Sequence, residues 1–517
     1  MSKLTPTILI ILDGWGVAPP SKSNAITLAK KPTLDRLYEL YPSTTLGATG
    51  EDVGLEKNKR SGSESGHLNI GAGRIVKQDS AYISESITDS SFFKNEALLG
   101  AITHALKLKS QLHLMGLMGN TDSPHSDPEH FRAILKLAKQ KGIERVFCHL
   151  ITDGRDSYPK SALENLANFR RIMSEENIGK IATLGGRFYG MDRAKNWDRL
   201  TKAYDAMVFA KGEIAQSAEA ATQSAYQKNL TDEYILPTVI YEDNHPVATI
   251  EPGDVAIFFN LRSDRARQFT KLFAAINKER ILTDNMPIMD KIPDLYFTAL
   301  TSFGPDLNIY TAFPEHTIVD TLPFVLKSIR QLYMAESEKF AHVTYFFNGG
   351  HDQPVGSEDR LMVKSPPVSS YADVPEMSAR EITQNVVEYI RNQKYDFIAV
   401  NYANADMVGH TGNLNATVKA VEFLDEQIKT VVSEMLKLDG NIIITADNGN
   451  AEDMFDFEIN QPNTFHTKNP VPLIVVSNSL KNKKLKNGGI LGNIAPTILD
   501  IMQIEKPMLM DKESLLA

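Results

Sequence analysis

The sequence predicts an α/β protein layered on largely parallel sheet, because short β-branched and aliphatic runs alternate with segments of helical period and three of those runs lead into acids. In chain order, Thr7–Leu12 (TILIIL) has the length of a buried strand and ends at Asp13-Gly14. The spacing of Phe131, Ile134, Leu135 and Ala138 predicts a helix ending at Gly142, after which 145–151 (RVFCHLI) predicts a strand running into Asp153-Gly154-Arg155-Asp156. Ser378 followed by Glu381 predicts a capping box ahead of Ile382, Val386, Val387 and Ile390. The second acid-directed run, 395–400 (YDFIAV), leads through Asn401 to Asp406. Val418, Val421, Leu424, Ile428, Val432 and Met435 mark one face of a long helix that stops near Gly440. The third run, Asn441–Thr445 (NIIIT), leads into Ala446-Asp447-Asn448-Gly449, and Val471–Val476 is an apolar strand behind His466.

Composition bounds the function classes. With 517 residues, 42% of them hydrophobic and 23% charged, the chain is an ordinary globular protein with room for about two domains. Setting 55 Lys+Arg against 64 Asp+Glu leaves a net charge of -9, which gives no reason to expect nucleic acid or an acidic membrane as partner. The single cysteine, Cys148, excludes an intrachain disulfide and any cysteine-built zinc or iron–sulfur site, and suits a reducing cytoplasm. No apolar run is long enough to span a bilayer. The basic stretch 481–486 lacks interleaved aromatics and reads as a solvated loop.

The chemistry-bearing residues are segregated along the chain. Acids and histidines of metal-ligand type lie near its two ends, as Asp13, Glu64 and His67 and then Asp406, His410, Asp447 and His466. Arginines in polar, Gly-rich surroundings dominate the middle: Arg155, Arg187, Arg193, Arg262 and Arg265. If the two outer parts share one sheet, the middle is an inserted domain, with 75–80 and 310–314 as hinge segments.

Each motif also has a bland reading. Asp13 and Asp447 sit beyond strand ends, where functional groups collect in open α/β sheets, yet each could be a simple turn residue. Asp406 and His410 are spaced to face one ion, and an i, i+4 salt bridge accounts for them equally. His466 is a loop histidine unless it joins that pair. Oxygen and imidazole ligands without thiolate suit Mn²⁺, Mg²⁺ or Zn²⁺. Ser63, in Ser61-Gly62-Ser63-Glu64-Ser65-Gly66-His67, reads either as a helix N-cap or as a nucleophile facing free N–H groups and the positive end of a helix dipole. The arginine clusters GRFYGMDR and NLRSDR could pair with their neighbouring aspartates, or grip a phosphate or carboxylate.

Taken together these residues resemble the 2,3-bisphosphoglycerate-independent phosphoglycerate mutases of the alkaline-phosphatase superfamily. LIILDGWG, SESGHLNIGAGR, LHLMGL, DGRD, GRFYGMDR, FFNLRSDRARQ, EKFAHVTYFFNGG, NADMVGHTG, TADNGNAE and FHTKNPVPLIVV occur in that family's order, over essentially the whole chain. The resemblance implies an alkaline-phosphatase-like domain with a central mostly parallel sheet, formed by residues 1–79 and 311–517, and an inserted α/β phosphotransferase domain, residues 80–310. It implies two divalent metal ions, commonly Mn²⁺, and no 2,3-bisphosphoglycerate. Carried over by position, Asp406, His410 and His466 would hold one ion; Asp13, Ser63, Asp447 and Asn448 would hold the other. Ser63 would be transiently phosphorylated. His125, Arg155, Asp156, Arg187, Arg193, Arg262, Arg265 and Lys339 match substrate-contacting positions, with Asp156 a candidate for handling the glycerate hydroxyl proton. The expected protein is a cytoplasmic monomer acting on a small phosphoglycerate, with domain closure bringing the arginines onto the serine.

Three departures from the family pattern bear on this expectation. The usual Asp-His after the third strand is Asp447-Asn448, so the serine-side ion would be held more weakly or would differ in identity. The usual Gly-Asn-Ser-Glu-Val-Gly-His turn has lost the asparagine beside the serine. The loop 119–124 before His125 is one residue longer. A metal-dependent phosphatase or phosphopentomutase would share the metal residues but not the arginine segments, and a weak metabolite-binding protein is the non-enzyme alternative.

Overall fold

The computed structural model describes residues 4–274, 286–287, 289–304, 306–314, 318–458 and 460–517. The chain divides into two compact units, Met1–Gln78 with Thr317–Ala517, and Asp79–His316. Both are α/β, with helices packed on largely parallel sheet.

Among the described residues of the first unit, eight strands form one sheet in the order Glu358–Val363, Gln331–Glu336, Phe397–Tyr402, Thr7–Leu12, Asn441–Thr445, Val471–Val476, Ser43–Gly47, Gly489–Ile490. The central strand Thr7–Leu12 pairs in parallel with Phe397–Tyr402 on one side and Asn441–Thr445 on the other. Val471–Val476 runs antiparallel to both of its neighbours. All six residues of Thr7–Leu12 are buried, which is why its last five are all aliphatic rather than alternating. The parallel pairing has a chemical consequence. It brings three carboxyl ends of strands, and the acids that follow them, to one edge.

The middle strand runs two residues further than its apolar core suggests: Asn401 and Tyr402 are buried strand positions. The long helix is Leu414–Leu436, capped by Asn413, whose side chain accepts from Ala416 N at 3.0 Å. The helix Ala379–Arg391 starts where expected, but the capping box does not form. Ser378 Oγ instead donates to Lys364 O at 2.8 Å, a tertiary acceptor that takes the hydroxyl away from the helix.

In the second unit, the order across the main sheet is Tyr310–Phe313, Tyr296–Thr301, Val255–Phe258, Leu112–Leu117, Val146–Thr152, Lys180–Gly186, Thr238–Glu242, Glu213–Ala215. Only the Lys180–Gly186 and Thr238–Glu242 pairing is antiparallel along this path. The second expected hinge, 310–314, is therefore largely strand. Tyr310–Phe313 pairs with Tyr296–Thr301, buries Ala312 and Phe313, and stacks Tyr310 on Tyr296 at 4.1 Å. The division between the units falls after it, at His316 and Thr317. No described helix is long and apolar enough to cross a membrane.

Candidate active site

The residues singled out from the sequence fall into two groups, one in each unit. In the first unit Asp13, Asp406 and Asp447 are fully buried beyond the ends of their three strands. The chain there is drawn unusually tight. Gly14, at φ +74, leaves no room for a side chain because a Cβ would lie 2.6 Å from Asp406 Cα, and a Cβ on Gly66 would lie 2.5 Å from Asp447 O.

Ser63 is the first residue of the helix Ser63–Ala72, with extended Gly62 as the N-cap. The N-cap reading of the serine therefore fails. Its hydroxyl sits at a helix N-terminus, 3.1 Å from Asp13 Oδ1 and 3.3 Å from Asn448 Oδ1, and accepts from Lys339 Nζ at 2.7 Å. Lys339 also donates to Asp13 Oδ1 at 2.7 Å and to Asp406 Oδ2 at 2.6 Å. Burial lowers and these carboxylates raise its affinity for a proton, and the carboxylates win, so the ammonium is firmly charged. Burial first, and then Asp447, push Asp13 up to about 7. Three carboxylates against one ammonium are more negative charge than this buried site can carry alone.

His410 and His466 flank Asp406. His410 Nε2 lies 3.3 Å and His466 Nε2 3.1 Å from Asp406 Oδ1, and the two Nε2 atoms are 3.1 Å apart. Each ring uses its Nδ1 on a backbone carbonyl, His410 on Thr464 O and His466 on Ser61 O, both at 2.7 Å. That arrangement fixes the tautomer and aims two imidazole lone pairs and a carboxylate at one point, as metal-ligating histidines do. Asp406, His410 and His466 form one set of mutually close ligand atoms, and Asp13, His67 and Asp447 another. Asp447 Oδ2 is buried and makes no hydrogen bond. Donor chemistry and surplus charge both fit divalent cations.

Sequence reasoning missed the residues that hold this site together. Glu452 Oε2 accepts from Gly16 N at 3.1 Å and Asn450 N at 2.9 Å, while Oε1 takes Thr467 Oγ1 and Asn469 Nδ2, tying three loops together. Asn450 Nδ2 reaches Asp406 Oδ1 at 3.4 Å. The available signal was that TADNGNAE carries polar residues in a segment otherwise following a buried strand.

In the second unit the arginines gather beyond the ends of Leu112–Leu117, Val146–Thr152, Lys180–Gly186 and Val255–Phe258. Arg187 is buried and its Nη1 donates to Asp153 Oδ1 at 2.6 Å and Asp156 Oδ2 at 2.5 Å. His125 Nε2 lies 3.2 Å from both Arg187 Nη2 and Asp156 Oδ2. Burial, reinforced by Arg187, lowers His125 to about 4, so the ring is neutral near pH 7. Burial opposes the charge on Asp156, but Arg187 and His125 hold that carboxyl well below its usual range. Asp264 lies 3.4 Å from Arg262 Nε, 3.3 Å from Arg193 Nη1 and 3.9 Å from Arg265 Nε. Burial, then Arg193, Arg187 and Arg155, push Arg265 down to about 9. Arg262 and Arg265 do lie against the Asp264 beside them, as the bland reading held, whereas Arg187 and Arg193 pair with aspartates distant in sequence and Asp192 pairs with Arg199; five guanidiniums still outnumber Asp153, Asp156 and Asp264. Asp153, which also accepts from Arg155 N and Asp156 N, had no signal beyond its place in DGRD.

A profile of the Metalloenzyme superfamily matches residues 5–506. The 2,3-bisphosphoglycerate-independent phosphoglycerate mutase of Clostridium kluyveri is 45% identical over 519 residues, covering 99% of this chain and 99% of that protein. The protein of the same name from Clostridium novyi is 45% identical over 513 residues, with 99% of each covered. The chain belongs to this mutase family. Among solved structures, phosphoglycerate mutase of Leishmania mexicana at low cobalt concentration matches with a TM-score of 0.87 and 26% identity, covering 100% of this chain and 98% of that one. Family and fold class are thus those that the motifs implied.

Proposed function

We propose that the chain interconverts 3-phosphoglycerate and 2-phosphoglycerate without 2,3-bisphosphoglycerate, through a phosphoserine on Ser63, as a monomer in a reducing cytoplasm. The observation that carries this reading is Ser63 Oγ, held at a helix N-terminus between Lys339 Nζ and Asp13 Oδ1. Asp406, His410 and His466 would hold one divalent ion and Asp13, Ser63, Asp447 and Asn448 a second, Mn²⁺ suiting the mixed oxygen and nitrogen donors; when bound, such ions lower the pKa of a serine hydroxyl and offset phosphate charge.

The rest follows from the chain's own groups. Lys339 Nζ, with the N–H groups of the first helical turn, stabilises Ser63 as it gives up its proton and attacks phosphorus. The bond from phosphorus to the glycerate oxygen breaks as the bond to Ser63 Oγ forms, and the glycerate oxygen takes up a proton. Arg155, Arg187, Arg193, Arg262 and Arg265 would hold the carboxylate of glycerate while it turns. Its other hydroxyl then attacks the phosphoserine and returns Ser63 to its starting state. An incoming carboxylate competes with Asp156 for Arg187, which frees Asp156 and makes it a better proton acceptor for that hydroxyl. The first compact unit, Met1–Gln78 with Thr317–Ala517, would then be the metal-binding domain, and Asp79–His316 the substrate-binding phosphotransferase domain.

Asn448 supports retained rather than lost chemistry, since its amide oxygen still faces Ser63. Purified protein with Mn²⁺ and 3-phosphoglycerate, and no 2,3-bisphosphoglycerate, is expected to form 2-phosphoglycerate. Failure across a series of divalent metals would overturn the reading, and release of free phosphate would replace it with a phosphatase. Ser63→Ala is expected to lower turnover by more than about 10⁴-fold, in line with loss of a nucleophile.

A further inference from the structure

Behind the serine-side carboxylates lie two fully buried residues that the proposed transfer does not use, His67 and Asn401. Asn401 Nδ2 donates to Asp13 Oδ2 at 2.7 Å and lies 3.0 Å from His67 Nε2. The amide has only this orientation open to it, because the reverse would set its oxygen against the Asp13 carboxylate. Its two hydrogens are therefore both engaged, and His67 Nε2 is the acceptor of one of them. The ring proton is then on Nδ1, which donates to Ser63 O at 2.8 Å and lies 3.3 Å from Asp447 Oδ2. Although His67 belongs to a set of potential ligand atoms with Asp13 and Asp447, neither of its nitrogens has a lone pair to offer an ion.

From this geometry we infer that His67 and Asn401 are positioning residues that orient Asp13, Asp447 and the first turn of the Ser63 helix around the serine-side ion. Asn401 holds Asp13 Oδ2, which turns Oδ1 toward Ser63 and Lys339. His67 links that amide to the backbone of Ser63 and sets its Nδ1 edge 3.3 Å from Asp447 Oδ2, bounding where that oxygen can lie. An ordinary core histidine bonded to the carbonyl four residues back would account for the Ser63 contact alone, not for the Asp13–Asn401–His67 chain. The inference rests on the reading that a divalent ion sits with Asp13 and Asp447.

The test is titration of the full, metal-free chain with Mn²⁺, followed by the electron paramagnetic resonance of free Mn²⁺, alongside kcat and KM for 3-phosphoglycerate. Wild type is expected to take up two ions. His67→Ala and Asn401→Ala are each expected to weaken one of them by about 10- to 100-fold, the range for loss of an orienting partner, and to lower kcat with little change in KM. The double variant is expected to be less impaired than the two effects combined, because the residues act as one chain. His67→Asn, which keeps an N–H near the Nδ1 position, is expected to recover part of the affinity and guards against a misfolded alanine variant. Two ions bound undiminished in both alanine variants, or both ions weakened alike, would overturn the inference. Fewer than two ions in wild type would overturn the metal reading and this inference with it.

Discussion

Around Ser63 the chain buries Asp13, Asp406 and Asp447 against the single ammonium of Lys339, whereas around Arg187 it gathers five guanidiniums against Asp153, Asp156 and Asp264. One cluster lacks positive charge and the other lacks negative charge. Burial and then like charge push one group of the majority sign in each, Asp13 upward and Arg265 downward, while the best-paired ones, Asp406 and Arg187, move the other way. The net charge of -9 records neither, because it sums over the whole chain. A ligand's sign can be read from the majority charge of such a cluster, and majority and minority charges in it must respond oppositely to substitution.

Removing the minority charge should have the largest effect on stability. Lys339→Met leaves three buried carboxylates uncompensated and is expected to cost the metal-free protein about 3–5 kcal/mol. Saturating Mn²⁺ should restore much of that loss. Thermal unfolding with and without metal checks it, and an unchanged metal-free midpoint would show that Lys339 does not offset the acids.

Removing a majority charge should behave differently. Asp13→Asn and Arg265→Met each relieve like-charge repulsion while losing local contacts, so the ligand-free protein is expected to stay within about 1 kcal/mol of wild type. The cost appears with the ligand: Mn²⁺ affinity falls for the first, and KM for 3-phosphoglycerate rises about 10- to 100-fold for the second, or about 1.4–2.8 kcal/mol. Chemical denaturation of the ligand-free variants beside metal titration and steady-state kinetics separates the two effects. Large destabilisation without ligand would contradict the charge-surplus reading.

Much of this contrast is legible in the sequence, and the part that is not has a physical cause. The strands Thr7–Leu12 and Asn441–Thr445 each carry an unbroken aliphatic stretch, Ile8 to Leu12 and Ile442 to Ile444, because both faces of their sheet are covered, and the acids Asp13 and Asp447 are the first charged residues after them. Asn401 is hidden because it lies inside a strand, where one polar residue in an apolar run looks like a boundary. Glu452 and Asp153 act through hydrogen bonds to backbone N–H groups, and periodicity carries no trace of such contacts. At the Ser378 cap and at 310–314 a local pattern is overruled by a tertiary partner, Lys364 O in one case and the strand Tyr296–Thr301 in the other.

A smaller change sharpens the metal side alone. Asn448 presents a neutral amide oxygen to Ser63, and Asn448→His is expected to tighten the serine-side Mn²⁺ by about tenfold, at the low end of what altered metal surroundings produce. Isothermal titration of the metal-free variant checks this. Equal or weaker binding would mean that the site has already adapted to the amide.

A still smaller effect is expected from a buried polar chain whose one carboxylate, Asp254, is already satisfied by donors of the protein, Gln111 N, Gln111 Nε2 and Glu251 N among them. In the second unit His149 Nδ1 lies 3.0 Å from Thr183 Oγ1, His149 Nε2 lies 3.0 Å from His113 Nδ1, and His113 Nε2 lies 3.1 Å from Asp254 Oδ2. Thr183 can donate to His149, His149 to His113 and His113 to Asp254, so two neutral imidazoles satisfy the whole row. Burial, and then His113, hold His149 well below its usual pKa. The unfolded chain takes up a proton at about pH 6.5 while the folded one does not, so stability is lost as pH falls below about 6.5. The expected loss is about 1 kcal/mol between pH 6.5 and 5.5. His149→Gln keeps a donor and an acceptor but does not titrate, and should flatten that slope. Hydrogen-exchange protection of the Val146–Thr152 amides, corrected for intrinsic exchange, reads it directly; equal slopes in the two proteins would place the acid sensitivity in the charged clusters instead.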